Sequence, residues 1–228
     1  MNTNVNLSAP IGVLSFLGAG FLFGLAAVAL IQSLVVRKHR RAKFVLLAML
    51  VIVGVYLAAL LIFSLASHET VLARGEEKHF CEIDCHLAYS IVDTQQSKTL
   101  GNSPNQTTAR GSYTIVTIKT RFDETTISPR RGDGLLYPNK RVLTLCDERG
   151  NKYAPVTQAQ IAFPSASTGD KPFTTPLRPG ESYTTKVVFD LPADARASTL
   201  LINEGEWETH LVIGHENSPL HRKTRFQL

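Results

Sequence analysis

Charge is what the first third of this chain lacks. No Asp or Glu occurs before Glu69, and the runs Ile11–Val36 and Phe44–Ala66 carry no charged residue of either sign. The opening MNTNVNLSAP has no Lys or Arg. A secretory signal peptide needs a basic start and a short apolar run of about 7–15 residues, so both features exclude one. Methionine is nearly absent: Met1 and Met49 are the only two. That excludes a thioether-dependent copper site in the C-terminal part. Cysteine is scarce, at three, so any pairing leaves a thiol over. No G-x-S-x-G, phosphate-cradling glycine loop or H-E-x-x-H occurs, so none of those enzyme constellations is spelled out.

The net charge of +5 suggests a nucleic-acid partner. Its distribution argues against one. Of 24 Lys and Arg, five (Arg37, Lys38, Arg40, Arg41 and Lys43) share one short loop, and the remaining 19 balance 19 Asp and Glu. Nucleic-acid binding needs a basic face on a folded domain.

Each uncharged run exceeds the roughly 20 residues needed to cross a bilayer. Residues 11–36 and 44–66 are therefore read as two transmembrane helices. The basic loop, 37–43, belongs in the cytoplasm by the positive-inside rule. The tail, 1–10, and everything after the second helix then lie outside. Gly20 with Gly24, and Gly54 with Ala58, offer small faces for close helix approach.

Residues 67–79 are charged and read as a juxtamembrane stalk, and residues 80–228 as one domain. Alternation dominates there. Cys81, Ile83, Cys85, Leu87, Tyr89 and Ile91 are apolar at every second position, the pattern of a half-buried strand. SYTIVTIKTRF, RVLTLCD, SYTTKVVFDLP, STLLIN, WETHLVIG and LHRKTRFQL read as further strands. Gly150 in the turn ERGN suits a positive φ. Short strands separated by Pro, Gly, Ser and Thr point to an all-β two-layer sandwich.

DERGNKY (Asp147–Tyr153) and LRPGESYTTKVVFDLP (Leu177–Pro192) resemble the signature stretches of a bacterial family of immunoglobulin-like, extracytoplasmic domains of unknown function. The likeness covers roughly Gly111–Asn203. It implies an Ig-like sandwich held outside the cytoplasm behind a membrane anchor, and it implies no catalytic residues.

KHFCEIDCHLAYS (Lys78–Ser90) carries the candidate chemistry. C-x-x-x-C-H is one residue longer than the c-type haem attachment motif. Thiolates spaced this way also hold Cu(I) or Zn. A two-helix hairpin before an outside β-sandwich resembles the copper subunit of haem-copper oxidases, with Cys81 and Cys85 as its bridging thiolates. That subunit's second histidine falls at Tyr89 here, and no methionine follows. A simpler copper or zinc site would use Cys81, Cys85, His79 and His86, joined by His210, His215 or His221. The alternation opposes it, since residues four apart on a straight strand are separated by roughly 13 Å. The same distance opposes a Cys81–Cys85 disulfide, and Cys146 is the other partner for a bridge. The plain alternative makes all three cysteines core residues. Trp207 and the nearby histidines form either a binding edge or a sheet-edge anchor.

These readings converge on a protein of the bacterial inner membrane with its C-terminal domain outside. The expected function is a non-enzymatic binding or assembly module, an accessory of an envelope or respiratory complex. Its partners are the lipid bilayer and another membrane or envelope protein, with no nucleic acid and no cofactor. The alternative function is a copper- or zinc-binding protein using the Cys/His cluster.

Overall fold

The computed structural model describes residues 2–81, 85–101, 106–126, 130–156 and 170–228. Within it the chain forms two compact units.

One unit is a β-sandwich. Its first sheet runs β1 (Asn2–Thr3), β3 (Lys78–Phe80), β4 (Leu87–Leu100), β5 (Thr107–Phe122) and β8 (Ser182–Leu191). Its second runs β2 (Thr70–Leu72), β10 (Thr224–Gln227), β9 (Ala197–Glu204), β6 (Arg141–Asp147) and β7 (Lys152–Tyr153). Both sheets are mixed: β1 lies parallel to β3 and β2 parallel to β10, and the other pairs are antiparallel. Leu72, Tyr89, Ile118, Val187, Leu200 and Phe226 belong to one apolar core. In β8 Tyr183, Val187 and Phe189 face it, as their period of two requires. Val188 points the other way into a second cluster with Tyr113 and Ile115, so this strand is buried on both faces.

Two sequence expectations change. Residues 67–79 are not a stalk, because they contain β2 and the start of β3. The strand read from Cys81 begins only at Leu87; Cys81, Cys85 and His86 lie outside any strand.

The other unit pairs two helices with residues 207–222. Helix α1 spans Ala9–Val35 and α2 spans His39–Leu65, each of 27 residues and each apolar enough to cross a membrane. The helical backbone of α2 starts before its apolar run, through His39–Lys43. Gly20, Gly24 and Gly54 are not contact points: an added Cβ at any of them meets nothing within 4 Å. The close approach is at Gly12, where a Cβ would stand 2.7 Å from the Ile213 carbonyl oxygen. WETHLVIG is not a strand either. Trp207–Leu211 forms a 3-10 turn, and the segment folds onto the helices.

Candidate functional site

Strand β3 is three residues long, and all three are buried. It lies between β1 and the long β4, which satisfies its backbone and fixes where its side chains go. Lys78 and Phe80 project to one face, His79 to the other.

On the Lys78 face, Lys78 is fully buried and its Nζ donates to the Ile202 carbonyl at 3.0 Å. The same ammonium sits 4.7 Å from the Phe80 ring centre. The Arg141 guanidinium stacks 4.4 Å from that ring centre and 5.4 Å from Tyr89's, and its Nε donates to the Tyr89 hydroxyl. Glu204 completes the group, 3.9 Å from Arg141 Nη1 and accepting from Asn4 Nδ2 at 2.8 Å. Asn4 Oδ1 accepts the Cys81 N–H. Buried charges persist where they are paired and hydrogen-bonded, and here aromatic faces add cation–π attraction.

On the other face, the His79 imidazole Nε2 donates to Asp123 at 3.0 Å, since the ionised carboxylate can only accept. Asp123 also accepts from the Thr125 backbone and hydroxyl, and it pairs with Arg121 at 3.2 Å. Burial opposes its charge, but hydrogen bonds from Thr125, His79 and Arg121 outweigh that and hold the carboxyl far below its usual range. Arg121 forks onto Glu77 through two bonds of 2.8 and 2.7 Å, which lowers the Glu77 carboxyl as well. His86 stacks on Phe122 and bonds Thr126 Oγ1 through Nδ1. That hydroxyl's one proton goes to the Asp123 carbonyl, so His86 Nδ1 is the donor.

Cys81 and Cys85 are joined in a disulfide, their Cα atoms 4.1 Å apart. This replaces the expectation that the pair stands too far apart to bond. That distance presumed a straight strand, and neither Cys81 nor Cys85 lies in one. Cys146 is a buried free thiol in β6. Of the four proposed metal ligands, the two sulfurs are bonded to each other, His79 bonds Asp123 through Nε2, and His86 bonds Thr126 through Nδ1. Among the described residues, no three His, Cys, Asp or Glu side chains converge on one metal position. His210, His215 and His221 belong to the helix unit, where each Nδ1 bonds main-chain atoms.

The two signature stretches have structural work. Asp147 accepts from the Arg149 and Asn151 backbone N–H groups, Asn151 Nδ2 and the Tyr153 hydroxyl, which ties the β6–β7 turn. Gly150 has φ +83° there, as its turn position predicts. Glu181 accepts from Arg178 N–H and closes the turn into β8. Lys78, Arg141, Glu204 and Asn4 were not singled out in the sequence. Their partners lie far along the chain, and a charged residue beside a strand ordinarily reads as solvated.

No protein-family model and no curated protein matches the chain. Solved structures similar to it include a secreted protein from Mycobacterium tuberculosis, at 15% identity and TM-score 0.42, over 72% of this chain and 100% of that one. A conserved hypothetical protein from Bacillus anthracis is similar at 12% identity and TM-score 0.42, over 58% and 88%. The yjhA protein from Bacillus subtilis is similar at 14% and 0.39, over 69% and 98%. The β-sandwich stands on the strand pairing described above.

Proposed function

We propose that the chain is a membrane-anchored, extracytoplasmic binding or assembly module without catalytic chemistry of its own. One observation carries this reading: in the sandwich His79 Nε2, Asp123, Arg121 and Glu77 are paired with one another. Asp123 and Glu77 are held as charged, hydrogen-bonded partners. A general acid or base works with a pKa near the operating pH and within reach of a substrate proton. Buried, mutually paired groups serve the fold instead.

Chain topology supports the outside placement. β1 precedes α1 and β2 follows α2, and both strands belong to the sandwich. Two crossings return the chain to its starting side, so the tail and the sandwich share a compartment. The basic segment Arg37–Lys43 then faces the cytoplasm. The membrane is the bacterial inner membrane, and the partner another membrane or envelope protein that the anchor keeps at high effective concentration. An oxidising compartment also suits a Cys81–Cys85 bridge.

The test uses the full chain in detergent, purified without chelator or reductant. Expected are no stoichiometric copper or zinc, one titratable thiol in the denatured chain, and three after reduction. Reduction lowers sandwich stability by about 2 kcal/mol for so short a loop. One metal equivalent together with three thiols would replace this reading with the copper- or zinc-binding alternative. Cross-linking in native membranes gives a discrete larger species; monomer alone would overturn the assembly role.

A further inference from the structure

The helix unit contains a segment that is neither span nor sandwich. Residues 207–222 return to the helices at two levels. At the upper level, the Arg222 N–H donates to Ser67 Oγ, beyond the end of α2. The Asn6 N–H donates to the Gly214 carbonyl, and Asn6 Nδ2 donates to the Phe63 carbonyl. At the lower level, the Tyr56 hydroxyl donates to the Leu211 carbonyl at 2.6 Å. Tyr56 lies nine residues before the end of α2, about 14 Å along the axis.

A membrane scale follows from the charges. The apolar run of α2 starts at Phe44, directly after Lys43. Counting about 20 residues, the thickness of a hydrocarbon core, places its outer boundary near Phe63. The Tyr56 backbone is then about 10 Å inside that boundary, and Leu211, bonded to its hydroxyl, lies on the hydrocarbon side of it. The local bonding suits such a place. Non-helical backbone at membrane depth must have its polar groups satisfied by protein. The Leu211 carbonyl has Tyr56, the Val212 N–H has the Thr209 carbonyl, and the Val212 carbonyl has both Ser218 Oγ and the His215 N–H.

The outward face is apolar where it needs to be. Trp207 is 65% exposed and Leu211 37%, on a unit whose helices already present Leu14, Phe21 and Leu50 outward. Trp is the residue that settles at headgroup level, with an apolar body and an N–H for water. Glu208 and His210 are exposed on the same 3-10 turn and keep it from going deeper. We infer that Trp207–Leu211 is a third membrane-contacting element, seated in the outer leaflet against the helix pair, with Leu211 in hydrocarbon and Trp207 among the headgroups. The inference rests on α1 and α2 spanning the bilayer, and its occupant is lipid, continuous with the lipid around the helices.

Trp207 is the only tryptophan in the chain, so intrinsic fluorescence reports on it directly. The full chain is reconstituted into phosphatidylcholine–phosphatidylglycerol vesicles whose acyl chains carry bromine near the headgroup end or near the methyl end. Expected are a blue-shifted emission, strong loss with the shallow bromines, a smaller loss with the deep ones, and weak quenching by iodide. Full iodide quenching without any bromine effect would overturn the inference. A companion protein carrying Trp207→Phe and Phe21→Trp separates two kinds of failure, because Phe21 is exposed in the middle of α1. If that probe is quenched by deep bromines while Trp207 is not, the interfacial segment alone is wrong. If neither is quenched, the helices do not span and both readings fall.

Discussion

In the sandwich, Lys78, Arg141 and Glu204 are buried while the surrounding surface meets water. In the helix unit, Leu14, Phe21 and Leu50 stand outside, while the buried Ser33 and Ser67 donate to the Ala29 and Ser64 carbonyls and the exposed Asn6 donates to that of Phe63. The contrast is one of solvent. Water drives apolar residues inside the sandwich, and the core they form can hold a few ions if each is paired. Lipid gives helices no such drive, so their contacts rest on packing and on hydrogen bonds to carbonyls. The small faces at Gly20, Gly24 and Gly54 show that a motif alone does not create a contact; the close approach occurs at Gly12.

The largest effect is expected at Glu204. Glu204→Ala strips a carboxylate from buried Arg141 and Asn4, and removing one member of a buried ion pair costs about 3–5 kcal/mol. Loss of sandwich structure is read from tyrosine near-UV dichroism, because the one tryptophan lies in the helix unit. In detergent the helical far-UV signal persists while the tyrosine signal melts early. Simultaneous loss of both would mean that the two units unfold as one.

Acid separates them next. The Asp123 and Glu77 carboxyls are depressed in the folded state, so their contribution is complete above the unfolded value, about 3.9–4.3. It is lost as pH falls below that toward the folded values, because the unfolded chain then binds protons the folded one refuses. The helices contain no acidic residue. Lowering pH from 5 to 3 therefore weakens the sandwich and leaves the helical signal in place. Asp123→Asn costs about 1–3 kcal/mol at neutral pH through weakened buried bonds. It also flattens the acid limb. Urea titrations across that range read both effects, and an unchanged limb would mean Asp123 does not couple to folding.

How far the sequence discloses this molecule follows from which interactions are local. RVLTLCD is β6, residue for residue, because its β-branched and apolar pattern needs no distant partner to be recognised. The apolar runs locate both helices, although α2 begins at His39: hydrophobicity marks the span, whereas helix formation also tolerates Arg and Lys. Asp147 and Gly150 are legible for the same local reason. The site is not. Asn4 and Glu204 meet across 200 positions, and β3 is flanked by β1, which precedes both helices in sequence. WETHLVIG misleads because its apolar residues suit a strand, but the Val212 side chain and the Ile213 carbonyl meet Gly12 of a helix instead of a sheet. A period of two names the rhythm of a segment, never its neighbour.

The finest test of the comparison is Tyr56→Phe, which deletes one hydroxyl and keeps the ring. Side-chain hydrogen bonds between membrane segments average about 0.6 kcal/mol, so global stability in detergent hardly moves. The local effect is larger if Leu211 sits in hydrocarbon, because its carbonyl then loses its partner where no water can replace it. The variant in vesicles is expected to raise iodide quenching of Trp207 and to reduce its loss of emission to shallow bromines. A variant indistinguishable from the parent in vesicles would place Leu211 at the water boundary, and would make the Tyr56 bond an ordinary surface contact like those on the sandwich.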